Sequence, residues 1–176
     1  TIDYGPCAFM DRYDPATVYS SIDMQGRYAY VNQPAAAQWN LARFAETLLP
    51  LIHDDADKAV EIATEQLEEF SSVYEACWLD GMRAKFGLRL ASDQDKPLID
   101  EFLTLLHTGQ VDYTNAIRRL GDAAAGNRDP LEQLFGDVPI VGASFEKIAF
   151  GSSKSASPNR TGVTFALVSK TICVGF

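Results

Sequence analysis

Two histidines, His53 and His107, and three cysteines, Cys7, Cys77 and Cys173, are the whole stock of those residues in this 176-residue chain. The cysteines are odd in number and far apart, so they build neither a disulfide framework nor a CxxC metal knuckle, and reduced thiols in a cytoplasmic protein are the expectation. The histidines lack the short spacing of a histidine metal motif. Long apolar runs are missing too. The longest, Leu48 to Ile52, carries a proline and falls far short of the ~18 residues that suggest a membrane span. Thr1 opens no basic segment leading into an apolar one, so neither spanning nor secretion is expected. Basic residues are outnumbered, 15 against 24 acidic, for a net charge of −9. That charge repels phosphate backbones and anionic bilayers, so nucleic acid and membranes are not expected partners.

What is present suits one soluble folded domain: 47% apolar and 22% charged residues, with a mean hydropathy of −0.09. A chain of this size buries roughly two thirds of its unfolded surface. The charge is uneven. From Ala143 to Phe176 one acid, Glu146, faces Lys147, Lys154, Arg160 and Lys170, so this tail carries +3 and the first 142 residues −12. The tail is rich in Ser and Gly and shows no helical period, which places a boundary near Gly142. No internal repeat of 20 to 50 residues is present.

Ahead of that boundary the apolar spacing is helical. Gln33 and Pro34 fit the N-cap and first position of a helix whose Trp39, Leu41, Phe44, Ala45, Leu48 and Leu49 occupy most of its surface, so it should be mostly buried. From Asp57 to about Phe86, Val60, Ala63, Leu67, Phe70, Tyr74 and Cys77 recur at steps of three and four, the pattern of a long helix lying along a partner, with Gly87 at its end. Leu98, Phe102, Leu105 and Leu106 mark a third helix over Lys96 to His107, stopping at Gly109. Asp112 caps a fourth with a Tyr113, Ile117 and Leu120 face. Asp129, Pro130 and Glu132 repeat N-cap, N1 and N3 chemistry ahead of Leu131, Leu134 and Phe135, predicting one more short helix.

Residues 1–32 differ. Tyr4-Gly5-Pro6, Asp14-Pro15 and Gln25-Gly26 are turn signals, and no apolar period links them. A long loop rich in tyrosine and phenylalanine is where function is expected. Gly151-Ser-Ser-Lys-Ser155 lacks the glycine of a phosphate-binding P-loop. Asp93 and Asp95 open like a calcium loop, but Leu98 and Thr104 stand where glycine and glutamate belong. No GxSxG or GxGxxG occurs. Two candidates remain. Asp3, on a glycine-containing turn, could reach a metal held on nucleotide phosphates, or simply accept backbone N–H bonds in an Asx-turn. Arg27 could hold a phosphate or pair with Asp23 or Asp11, and spacing alone favours the ion pair.

The run Thr1-Ile-Asp-Tyr-Gly-Pro-Cys-Ala-Phe-Met-Asp11, followed by Gln25-Gly-Arg-Tyr-Ala-Tyr30, Asn32-Gln-Pro34 and Gln38-Trp-Asn-Leu-Ala-Arg43, strongly resembles the SelO family, also called UPF0061 or YdiU, of kinase-like protein adenylyltransferases. The likeness continues through Trp78-Leu-Asp-Gly-Met-Arg-Ala-Lys85 and Asp112-Tyr113-Thr114, covering about residues 1–142, and fades after Phe145. In that family the aspartate of the Asp-Tyr-Gly-Pro motif corresponds to the metal-binding DFG aspartate of protein kinases, and Asp3 matches it. The family binds ATP inverted relative to kinases and transfers AMP to hydroxyl side chains of proteins. The chain departs from the pattern as well. The family's upstream nucleotide-binding lobe, its lysine–glutamate pair and its Asp-Asn base and second metal ligand are not in these 176 residues. Thr1 is therefore expected to fall inside a catalytic site. Met24 stands where a histidine is usual, Tyr19 lies near where some members place a redox-active cysteine, and the later Asn-Pro and Pro-Arg-Asn-His strings are missing.

The resemblance thus implies a mainly α chain, the helical C-terminal portion of a protein-kinase-like (pseudokinase) fold with a long N-terminal loop region. Residues 1–32 would be the metal-site and activation-loop-like segment, 33–142 the helical part, and 143–176 a divergent tail. Its implied function is AMP transfer from ATP to Ser, Thr or Tyr hydroxyls of protein substrates. Mg²⁺ or Mn²⁺ would be held by Asp3, ATP contacted by Asp3 and Arg27, and no catalytic base lies in this chain, which alone is expected to be inactive. The alternative is a noncatalytic helical interaction module. The tail reads as foreign to the fold, as a frameshift or premature truncation would make it. Against that, Val163 to Val168 and Thr171 to Val174 have the composition of a β-ribbon.

Overall fold

The structure is a computed structural model that describes residues 10–88 and 90–136. Asp3, Cys7, Cys173 and the tail over 143–176 lie outside the described residues. Among the described residues the architecture is helical with no strand, and the one extended pairing is an antiparallel bridge between Arg12 and Asp112. The chain divides into two compact units, one of residues 15–78 and the other of 10–14 with 79–136.

In the first unit, residues 15–29 follow turns and bends, as the glycine and proline signals predict. The turn closes on its own backbone: the Tyr30 N–H donates to the Thr17 carbonyl at 2.9 Å and the Val31 N–H to the Pro15 carbonyl at 2.9 Å. A 3-10 turn, Tyr30–Asn32, leads into helix α1, Gln33–Ile52. Pro34 sits in the first turn, where its missing N–H costs nothing. The N-cap is Asn32, one residue earlier than expected, and its side-chain amide donates to the Gly26 carbonyl at 2.9 Å instead of capping the helix. Helix α2, Ala56–Phe86, follows Asp55, whose carboxylate accepts the Asp57 N–H at 3.0 Å and the Lys58 N–H at 3.2 Å.

One expectation fails in this unit. No residue of α1 is buried. Phe44 is 59% and Leu51 83% exposed, and Val60 of the expected α2 seam is exposed too. Apolar side chains surround α1 on more faces than its neighbouring helix can cover, because two packed helices bury only the stripe each turns to the other. The buried side chains of this unit are instead the small ones, Ala29 in the turn region and Ala59 and Ala63 on α2.

The second unit holds the end of α2 from Leu79 onwards, then α3, Asp95–Thr108, α4, Tyr113–Ala124, and α5, Asp129–Phe135. Gly87 takes φ +70°, the left-handed conformation that glycine adopts freely after a helix, and the Leu88 N–H returns to the Arg83 carbonyl at 2.9 Å. Ile99, Phe102 and Leu106 of α3 are fully buried with Leu131 of α5. Of the expected α3 stripe, Leu98 and Leu105 are half-buried, while Ile99 and Leu103 take interior places. Asp112 caps α4 as predicted, accepting the Asn115 N–H at 2.7 Å, and α4 packs on α5. Asp129 and Pro130 begin α5 within its first turn, one residue after the N-cap Arg128. Residues 10–14 pair with the α3–α4 connection, the Tyr13 N–H donating to the Val111 carbonyl at 3.0 Å and the Tyr113 N–H to the Asp11 carbonyl at 2.7 Å.

Candidate functional site

The sequence singles out Asp3 and Arg27, and of these Arg27 is described. It lies in the turn of Asp23 to Tyr28, where Gly26 adopts φ +66°, a conformation that costs a residue with a Cβ. The Asp23 carboxylate accepts two backbone bonds, from the Arg27 N–H at 2.8 Å and the Tyr28 N–H at 2.7 Å. This is the Asx-type closure that short acidic side chains provide.

The ion pair favoured by spacing does not form. Asp23 bonds the backbone of Arg27, and the guanidinium turns to the aromatic rings, 4.6 Å from the Trp39 centroid and 5.6 Å from that of Tyr28. A planar, weakly hydrated cation gains from a π face while its N–H edges stay in solvent, whereas an exposed ion pair contributes little. Arg43, one turn beyond Trp39 on α1, lies 5.6 Å from the same ring and pairs with Glu46. Both Trp39 and Arg27 are exposed. Among the described residues the Arg27 guanidinium makes no ion pair, and the exposed Arg27 side chain lies beside an exposed indole. Such a surface suits an oxyanion or a flat base. The i, i+4 spacing of Trp39 and Arg43 could have been read from the sequence, but the Arg27–Trp39 contact joins a turn to a helix and carries no periodic signal.

A second feature of this unit is an open apolar groove of about 480 Å³ between α1 and α2. Leu41, Phe44 and Leu48 face Ile62, Leu67 and Phe70 across it, and Gln66 and Glu69 are the polar members of its lining. Phe70 stacks on Tyr74 at 6.1 Å, and desolvation raises the Tyr74 pKa.

Among the described residues, most of the ionisable groups with a shifted pKa lie in the second unit. Lys85 reaches the Tyr113 hydroxyl at 3.4 Å and lies 5.5 Å from its ring, and Tyr113 lies 5.5 Å from Tyr13. Desolvation lowers the Lys85 pKa and raises that of Tyr113. The string ending at Lys85 and the string Asp112-Tyr113-Thr114, apart in sequence, are thus neighbours in space. Beside them, Asp95 accepts from Arg83 Nε at 2.7 Å and from the Ser92 N–H at 2.9 Å. Burial pushes the Asp95 carboxyl up, but the Ser92 N–H and the Arg83 guanidinium outweigh it and hold the group below the usual carboxylate range. The Arg83 pKa rises, chiefly through its bond to Asp95. His107 Nδ1 lies 3.3 Å from the Tyr13 carbonyl. No three His, Cys, Asp or Glu side chains converge on a metal-sized site among the described residues. Cys77 is in no disulfide.

The family model described as "Protein adenylyltransferase SelO" matches residues 1–146. The chain belongs to the SelO family. Proteins named "Protein nucleotidyltransferase YdiU" are similar to it. The one from Anoxybacillus flavithermus is 62% identical over 120 residues, covering 68% of this chain and 25% of the relative. The one from Alkaliphilus metalliredigens is 59% identical, covering 68% and 24%, and the one from Mycolicibacterium paratuberculosis is 52% identical over 145 residues, covering 79% and 30%. The chain therefore spans about a quarter of the length of the curated relatives it matches.

Proposed function

We propose that this segment serves, within a full-length SelO-family protein, in the transfer of AMP from ATP to Ser, Thr or Tyr hydroxyls of protein substrates in the cytoplasm. The observation that carries the reading is the family match over residues 1–146. Asp3 supplies the hard oxygen that Mg²⁺ or Mn²⁺ prefers, and such an ion, when bound, neutralises phosphate charge. Arg27 supplies an exposed guanidinium beside the Trp39 ring, a group whose N–H fork suits a phosphate. One carboxylate and one guanidinium do not position a triphosphate for reaction, so the 176-residue chain by itself transfers no AMP. In a full-length protein carrying these residues, Asp3→Ala should abolish metal-dependent AMP incorporation into protein, and undiminished incorporation refutes the assignment.

A second reading, a noncatalytic helical interaction module, draws on the exposed apolar residues of α1. ATP titration of the isolated chain in Mg²⁺ or Mn²⁺ separates the accounts. Micromolar affinity there would show that the nucleotide site is assembled from these residues alone.

A further inference from the structure

The groove between α1 and α2 has the character of half an interior. Its walls are leucine, isoleucine, valine and phenylalanine, yet Leu41, Phe44, Ile62 and Val73 are all exposed. Contiguous apolar surface of this kind marks an interaction site in a soluble protein.

Charge narrows the choice of occupant. Over residues 56–78, α2 carries Asp57, Glu61, Glu65, Glu68, Glu69 and Glu75 against one base, Lys58. Glu69 lines the groove, and Glu65 lies one turn before it on the same helix. A second copy would bring the same acidic helix against itself, and an anionic bilayer would be repelled. An occupant with basic residues flanking its apolar face is attracted. The apolar wall on α1 runs from Leu41 to Ile52, a length of about 16 Å at 1.5 Å per residue, which suits roughly three turns of helix. The relative from Anoxybacillus flavithermus has three quarters of its length outside the stretch that this chain matches, ample to supply such an element.

We propose that the groove is the seat of an amphipathic, basic-flanked helix contributed by the part of the SelO-family protein that lies outside these residues. The inference rests on family membership and not on AMP transfer, and its readouts are independent of activity.

The test compares this chain with the full-length Anoxybacillus flavithermus relative. Val73→Cys is made in this chain, and a cysteine is placed at the aligned position of the relative. Alkylation at each is followed by site-resolved mass spectrometry. Val73 is 57% exposed in this chain, so its cysteine should react at the rate of a free thiol, and the one in the relative at least tenfold more slowly. A short cysteine-to-lysine crosslinker at that site in the relative should then capture a lysine outside the matched stretch. Equal alkylation rates would overturn the proposal, as would crosslinks confined to the matched stretch. Sedimentation supplies the third arm. This chain should be monomeric, and a dimer that Val73→Glu dissolves would assign the groove to a second copy instead.

Discussion

Phe102 and Phe44 are both phenylalanines set in helical apolar patterns, yet truncating them should have very different consequences. Phe102 is 0% exposed. Its ring meets Phe86 edge-on at 5.3 Å and 83°, and Phe135 at 6.4 Å and 68°. Phe102→Ala removes a fully buried ring and leaves a cavity, a change that costs ~3–5 kcal/mol, and edge-to-face partners contribute ~0.5–1.5 kcal/mol per pair beyond burial. A loss of about 4 kcal/mol follows. Phe102→Leu keeps most of the volume and should cost less than about 1.5 kcal/mol. Phe44→Ala, at a site 59% exposed, should stay within about 0.5 kcal/mol. Because the two units need not unfold together, the suitable assay is amide exchange of peptides from α3 and α1, which reports local opening free energies. A change of about 4 kcal/mol appears as roughly a thousandfold faster exchange in α3. An acceleration of less than tenfold for Phe102→Ala, or an equal one for Phe44→Ala in α1, would refute this reasoning.

Asp112→Ala should cost about 1 kcal/mol through loss of the cap bond to Asn115, seen as faster exchange confined to the first turns of α4; unchanged protection there would dismiss the cap. The Asp95 pKa is lower folded than unfolded, so its contribution is fully present above the ordinary carboxylate pKa and disappears as pH falls through the depressed folded value. Acid titrations of exchange in α3 should therefore show a weaker acid-side loss for Asp95→Asn than for the parent chain, and superimposable titrations would deny Asp95 that role. Arg27→Ala should preserve the helical circular dichroism, because the Asp23 turn uses the backbone N–H of residue 27, while changing the fluorescence contribution of Trp39; an emission spectrum identical to the parent's would contradict the stacked geometry. Deleting residues 151–176 should leave the thermal midpoint nearly unchanged if the tail is foreign to the fold, and a fall of ~5 °C or more, the scale of ~1–2 kcal/mol for a chain this size, would make it a structural element.

Helix identity was legible in the chain because it is written locally. The steps of three and four from Val60 to Cys77, Pro34 in a first turn, Gly87 after a last one and Asp112 ahead of Tyr113 each act within a few residues through backbone geometry or one hydrogen bond. The family was legible from contiguous strings such as Asp3-Tyr-Gly-Pro6 and Gln25-Gly-Arg-Tyr28. Burial was not. Apolar spacing says which side chains share a face, but whether that face is covered depends on what the rest of the fold brings to it, so α1 reads as a core helix and stands exposed while Ile99 and Leu103 take interior places. The partner of Arg27 was equally out of reach. Spacing offered Asp23 or Asp11, and only the closed turn, which commits the Asp23 carboxylate to two backbone N–H groups, brings the guanidinium to Trp39 twelve residues on. The meeting of Lys85 with Tyr113 has the same origin, since no local rule links positions 28 apart until α3 folds back and its connection to α4 pairs with residues 10–14.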